Sequence, residues 1–228
     1  MKNIAQRLAG VRESIHAAER RFGRPPGIVT LLAVSKSRTS EEVLATADAG
    51  QRDFGENYVQ EALAKITQLA RSDLRWHFIG PVQSNKARMV AGHFQWLHSL
   101  DRIKIATRLN ESRPADLPPL NVCIQVNISG EVSKSGIAPG ALPELAAAVS
   151  GLPQLKLRGL MALPEPVEEF EAQRRQFRAL RECLEQLNRG ALALDTLSMG
   201  TTQDFEAAIA EGATLVRIGT GLFGPSAY

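Results

Sequence analysis

The sequence predicts an α/β protein: a single (β/α)8 barrel of the TIM type with one additional helix at its N-terminus. Three observations carry this reading. Strand-like and helix-like segments alternate along the chain, which implies a mostly parallel sheet with crossover helices. The strand candidates number roughly eight, and the 228 residues fall within the usual span of such a barrel. An open doubly wound sheet is the runner-up; no G-x-G-x-x-G turn follows the first strand, which counts against a dinucleotide-binding reading. There is no linker, low-complexity tract or short internal repeat, so residues 1–228 are read as one domain.

The first helix is marked by Ile4, Leu8, Val11, Ile15 and Phe22, which recur at helical spacing between polar residues. The same pattern lacks the apolar core of a signal peptide. Residues 23–27, with two prolines and two glycines, end it. Residues 29–36 (VTLLAVSK) read as a buried strand, and Thr39 to Glu42 has the form of a capping box that opens the next helix. A short strand at 52–54 precedes Gly55, and 56–70 is helical. Strand 75–79 leads to helix 84–91, and strand 95–100 to helix 101–111. Residues 120–128 give the longest strand signal, followed by helix 141–149. Strand 156–162 leads into the long amphipathic helix 168–188. Strands 196–199 and 214–218 flank a helix at 203–211.

Composition removes several classes. The net charge is only +3 and the basic residues are scattered, so there is no nucleic-acid footprint. Arg20, Arg21 and Arg24 cluster, but at the end of a helix, where cations suit the dipole. The two cysteines, Cys123 in a strand and Cys183 in a helix, have neither metal-ligand spacing nor the number for a disulfide framework. No apolar run approaches a membrane span. These features predict a cytoplasmic protein in a reducing compartment, with no metal, nucleic-acid or membrane partner.

In such barrels the chemistry sits at the C-terminal ends of the strands. Lys36 ends the first strand, and alternation puts Leu32, Val34 and Lys36 on one face, aiming the lysine from the barrel interior into the mouth. A partly desolvated amine there can condense with an aldehyde. The same position suits a lysine that reaches solvent or pairs with a carboxylate. Ser198-Met199-Gly200 and Gly219-Thr220-Gly221 close the seventh and eighth strands, where barrels often hold a phosphate, and Thr201 and Thr202 begin the next helix. Ordinary turn chemistry is the competing reading. Arg217 shares a strand face with Gly219 and needs a partner, either a buried carboxylate or a ligand ring nitrogen. Asn57 and His77 lie near the ends of the second and third strands; His77 is read as structural. Trp76 and Trp96 are read as packing residues, and Asp204 and Glu206 as complements of a helix N-terminus.

Seven stretches carry a family resemblance: Ala33-Val34-Ser35-Lys36, Phe54-Gly55-Glu56-Asn57-Tyr58, His77-Phe78-Ile79-Gly80 with Gln83-Ser84-Asn85-Lys86, Gly159-Leu160-Met161, Leu197-Ser198-Met199-Gly200, Asp204-Phe205-Glu206-Ala207-Ala208-Ile209, and Val216-Arg217-Ile218-Gly219-Thr220. In order, and over nearly the whole chain, they resemble the pyridoxal phosphate homeostasis proteins of the YggS/PROSC type, relatives of the alanine racemase barrel domain. The resemblance implies that Lys36 holds pyridoxal 5'-phosphate (PLP) as a Schiff base. It implies that Ser198, Gly200, Gly219 and Thr220 surround the phosphate, that Arg217 faces the pyridine nitrogen, and that Asn57 belongs to the same site. Two departures stand out. The family usually reads Met-Gly-Met-Ser where this chain has Met199-Gly200-Thr201-Thr202, and often has Ala at Gly221.

The resemblance also implies a role: binding PLP, buffering a reactive aldehyde and releasing it to PLP-dependent apo-enzymes. Alanine racemases add a β-rich domain that supplies a catalytic tyrosine, whereas this sequence ends eight residues after Thr220. Two-sided proton transfer needs a base on each face of a bound amino acid, and Lys36 offers one. Efficient racemase activity is therefore not expected, and no residue is assigned a catalytic role. A slow PLP-dependent racemase or other PLP enzyme, and a Schiff-base aldolase acting on a sugar phosphate, are the alternatives.

Overall fold

The computed structural model describes residues 3–130, 135–190 and 192–225. Eight parallel strands close into a barrel in sequence order, β8 pairing with β1. They are β1 (Thr30–Val34), β2 (Asp53–Glu56), β3 (Arg75–Phe78), β4 (Trp96–Leu100), β5 (Leu120–Gln125), β6 (Leu155–Met161), β7 (Thr196–Ser198) and β8 (Leu215–Ile218). Around them lie α1 (Ile4–Arg21), α2 (Ser40–Asp48), α3 (Val59–Leu69), α4 (Ala87–His93), α5 (Ile103–Ser112), α6 (Leu142–Ser150), α7 (Phe170–Arg189), α8 (Phe205–Ala210) and α9 (Thr220–Phe223). The (β/α)8 expectation is met, including the extra N-terminal helix. No helix among the described residues is long and apolar enough to cross a membrane.

The outer ring explains that extra helix. The crossover helix after β8 would normally cover the seam between β8 and β1, but α9 has only four residues. Helix α1 packs against α2, α8 and α9 and covers the seam instead. Its buried residues Leu8, Ile15 and Ala18 face the core. Buried Glu19 ties it to the start of β1 by accepting from the backbone N–H of Gly27 (2.9 Å) and Val29 (2.8 Å).

Strand alternation divides the core in two. Phe54, Trp76 and Phe78 are buried on the helix-facing side, with Phe54 5.7 Å from Trp76 and Phe78 5.3 Å from Phe94 between ring centroids. The inward row of β1 begins with fully buried Leu32, against which a Cβ at Gly55 would lie at 3.1 Å. The capping box read at Thr39 is present: Glu42 N–H donates to Thr39 Oγ1 at 3.2 Å and Thr39 N–H to the Glu42 carboxylate at 2.9 Å.

The differences from the sequence reading are local. Strand β5 stops at Gln125, because Val126 leaves the ladder for an isolated bridge with Ile137. The helix after β3 begins as a 3-10 turn at Ser84–Lys86. Helix α8 starts at Phe205, because Thr201 to Asp204 form a turn closed by the Asp204 carboxylate. Helix α9, too short to show periodicity, was not expected.

Candidate functional site

At the C-terminal mouth a cavity of about 260 Å³ opens between the strand ends. It brings together Lys36 beyond β1, Asn57 beyond β2, Arg217 of β8, and Gly219 and Thr220 at the start of α9. Thr201, Thr202 and Gln203 from the β7–α8 turn complete its polar wall; Val34, Ile79 and Leu163 form the apolar one.

Lys36 follows β1 by two residues and is exposed in the mouth. The strand ends before the lysine and leaves it above the barrel, at the edge of the cavity. Its accessibility comes with freedom: among the described residues its side chain has no hydrogen-bond or salt-bridge partner. Its backbone is fixed by its neighbours. Ser37 adopts a left-handed conformation (φ 57°), which costs a non-glycine residue about 1 kcal/mol. That turn is held by a bond of 2.6 Å from Ser37 N–H to Glu61 and one of 3.1 Å from Arg38 N–H to the Ser35 carbonyl.

On the other side of the loop, Lys65 Nζ donates to the Ser35 carbonyl (2.6 Å), Glu56 (2.8 Å) and Glu61 (2.6 Å). Ser35 Oγ also donates to Glu56 at 2.6 Å. Burial pushes the Glu56 carboxyl above its ordinary range, while Lys65 opposes that shift. Lys65 is thus the structural lysine, and Lys36 the free one.

Asn57 is fixed by a close backbone approach: a Cβ at Gly80 would lie 2.2 Å from the Asn57 carbonyl oxygen, so only glycine fits there. Its side-chain Oδ1 is buried in the wall with no partner among the described residues. Arg217 is buried, and Nη1 donates to Ser198 O (2.6 Å) and Ser198 Oγ (2.8 Å), while Nη2 donates to Ala162 O (2.8 Å). Burial lowers its pKa to about 10, so it remains a cation at neutral pH. Among the described residues it has no carboxylate in contact; Asp204, the carboxylate acting on it at longer range, is engaged by Thr201 N–H (2.5 Å) and Thr201 Oγ1 (2.8 Å).

Two residues assigned to the phosphate by resemblance do not line this cavity. Ser198 pairs in register with Leu215, two residues below Arg217, so it lies a layer deeper in the barrel. Its hydroxyl is buried against Arg217 and His98. Gly200 is level with Arg217, whose N–H donates to the Gly200 carbonyl at 2.9 Å. Its φ of +93° makes the turn, and an added Cβ would lie 2.6 Å from the Ala208 Cβ, so it lets α8 approach the barrel. Gly200 lines only a smaller adjoining depression of about 170 Å³. Thr201 and Thr202 occupy the cavity wall instead.

The two departures from the family pattern touch each other. A Cβ at Gly221 would lie 2.9 Å from the Thr202 Cγ2 methyl and 3.2 Å from Ile218 Cγ2. The methyl gained where the family has Ser is thus accommodated by the methyl lost where it often has Ala. Thr202 Oγ1 remains within 3.3 Å of both Thr220 Oγ1 and Gly221 N.

Leu163, Gln203 and Ile79 were not singled out from the sequence. Ile79 and Leu163 carry a signal in hindsight, as apolar residues just beyond β3 and β6; Gln203 carries none.

Residues 7–227 match the family model described as alanine racemase, N-terminal domain, which defines the class of barrel. The pyridoxal phosphate homeostasis protein of Pseudomonas aeruginosa is 60% identical over 228 residues, covering 100% of this chain and 98% of its own. Its Escherichia coli counterpart is 54% identical over 231 residues, covering 100% and 99%. The solved structure of PipY from Synechococcus elongatus with PLP bound has a TM-score of 0.85 and 38% identity, covering 97% of this chain and 100% of PipY. Alanine racemase from Corynebacterium glutamicum shares the fold alone, with a TM-score of 0.68 and 16% identity over 96% of this chain and 61% of the racemase. The chain belongs to the pyridoxal phosphate homeostasis protein family.

Proposed function

We propose that this protein binds PLP in the C-terminal mouth of its barrel and serves intracellular PLP homeostasis, holding the cofactor on Lys36 as a Schiff base and releasing it to apo-enzymes. One observation carries the reading: a single cavity gathers a lysine without a partner and a buried cation without a contacting carboxylate among the described residues, and a wall of hydroxyls and glycine backbone. PLP supplies a matching set of groups: an aldehyde, a ring nitrogen that accepts a hydrogen bond, and a phosphate. Thr201, Thr202, Gly219 and Thr220 fit the phosphate, and Arg217 the ring nitrogen. Asn57 Oδ1, buried without a partner among the described residues, offers an acceptor to the same ligand. Bound PLP can act as an electron sink; an arginine that leaves the ring nitrogen unprotonated weakens that sink, which favours storage over amino-acid chemistry. The two cysteines, both unpaired, suit a reducing cytoplasm.

The test is a visible-absorbance titration of cofactor-free protein with PLP, followed by mixing with an apo-transaminase. The expected result is saturable absorbance that Lys36→Ala abolishes, and reactivation of the apo-enzyme as that absorbance falls. Absence of a visible band would contradict PLP binding and favour an aldolase-type barrel. A band without reactivation would contradict release.

A further inference from the structure

Beneath Arg217, five side chains from five strands form one continuous hydrogen-bonded chain. Arg217 Nη1 lies 2.8 Å from Ser198 Oγ. Ser198 Oγ lies 2.8 Å from His98 Nδ1, and His98 Nε2 lies 2.9 Å from His77 Nδ1. His77 Nε2 lies 3.0 Å from Asp53 Oδ1. All five residues are buried. The chain crosses the barrel interior to the N-terminal mouth, where Arg75 closes it with bonds of 2.6 Å and 2.6 Å to Asp53.

The two ends dictate the direction of every link. Arg217 has only donors, and the Asp53 carboxylate only acceptors. Despite its burial, hydrogen bonds from His77 and Arg75 hold the Asp53 pKa at about 2. His77 must therefore donate from Nε2. Burial pushes both histidines below the ordinary range, so each ring is neutral and carries one proton. His77 Nδ1 then accepts from His98 Nε2, His98 Nδ1 accepts from the Ser198 hydroxyl, and Ser198 Oγ accepts from Arg217. Every proton points away from the mouth, and no other arrangement satisfies all four links with neutral rings.

We propose that Ser198, His98, His77 and Asp53 are positioning residues that orient Arg217 toward the ligand through neutral hydrogen-bonding groups, with no carboxylate set against the guanidinium. The inference rests on the reading that Arg217 faces the PLP ring nitrogen. Anchored through Nη1 and one Nη2 hydrogen, the guanidinium keeps Nε–H and its other Nη2 hydrogen without a partner among the described residues. A carboxylate placed against it would occupy those donors and cancel its field where an anionic ligand binds. A serine hydroxyl in that place, itself held by His98, His77 and Asp53, leaves the buried cation hydrogen-bonded and the mouth positive, while the Asp53 charge is met by Arg75.

The test uses nitrogen-15 NMR of the four histidines, first on ligand-free protein. His77 and His98 are both expected as neutral Nε2–H tautomers. An Nδ1–H tautomer or a cationic ring at neutral pH, at either position, would overturn the chain's direction. Adding PLP should then move the His98 ring signals, while inorganic phosphate alone should not. Ser198→Ala should remove that PLP-induced change and weaken PLP binding roughly tenfold, and Ser198→Thr, which keeps the hydroxyl, should retain both. PLP bound at Lys36 with no response at His98, or an unaltered response in Ser198→Ala, would overturn the positioning role. Failure to bind PLP at all, read by absorbance, would remove the underlying reading. The tautomers of the ligand-free wild type would still decide the chain's direction, including if a Ser198 variant failed to fold.

Discussion

The two mouths of the barrel treat charge in opposite ways. At the N-terminal mouth, Asp53 is bonded by Arg75 and His77, and Asp195 by Arg158, whose guanidinium lies 4.9 Å above the Trp96 ring. At the C-terminal mouth, among the described residues, Lys36 has no partner, Arg217 touches no carboxylate, and Asn57 Oδ1 is buried with nothing to accept. Paired charges secure the fold, and unpaired ones are available to a ligand. The contrast supports the proposed placement of the ligand at the C-terminal mouth, in agreement with the general location of chemistry in such barrels.

The contrast breaks most sharply if the wrong end proves sensitive. Lys36→Ala should abolish covalent retention of PLP while changing unfolding free energy by less than about 0.5 kcal/mol, as expected for an exposed, unpartnered side chain. Asp53→Ala should cost about 1–3 kcal/mol, because it leaves the buried His77 Nε2–H without its acceptor, while exposed Arg75 turns to solvent. Urea unfolding with absorbance on the same samples measures both; the opposite pattern would end the comparison. Asp53 also sets a pH dependence. Its folded pKa, about 2, lies below the ordinary 3.8, so its contribution is complete above the ordinary value and is lost as pH falls from there through about 2. The stability gap between wild type and Asp53→Ala should narrow over that acid window, and a gap that widened there would contradict the sign.

A smaller effect is expected within the C-terminal mouth. Thr220→Ala should weaken PLP by roughly ten- to a hundredfold, the worth of a hydrogen bond to a charged group, and leave unphosphorylated pyridoxal nearly unchanged. Equal losses for the two ligands, in parallel absorbance titrations, would show that Thr220 does not read the phosphate. Smaller again is the coupling between Thr202 and Gly221. Gly221→Ala should destabilise the protein by about 1 kcal/mol or more through crowding of the Thr202 methyl, and Thr202→Ser should recover most of that loss in the double variant. Additive losses in a double-mutant cycle would show that the two positions are independent.

The smallest expected effect is on amino acids. With Lys36 able to serve one face and Arg217 at the ring nitrogen, exchange at Cα of L- or D-alanine in heavy water should be slow and without inversion. Rapid exchange with inversion, seen by chiral analysis, would move the protein into the enzyme class.

Most of the fold was legible because strands such as β1 and β5 are apolar runs bounded by turn residues, and because the Thr39–Glu42 cap is a local signal. The mouth was legible where period-two alternation carries a residue outward from a strand end, as at Lys36 and Arg217. Alternation gives the face but not the depth. Ser198 shares the inward face, yet its depth follows from pairing with Leu215, a relation set by the closure of the whole barrel. His98 meets Ser198 across 100 positions of sequence, which no local pattern encodes. The seam covered by α1 was hidden for a related reason: it exists only because α9 is short.

The central claim is that the unpartnered lysine of the C-terminal mouth carries the cofactor. Reduction of the PLP-loaded protein with borohydride, followed by proteolysis and peptide mass mapping, tests it most directly. The expected result is one pyridoxyl group per chain, on the peptide containing Lys36, with none on Lys65. A label found only on another lysine would contradict the account.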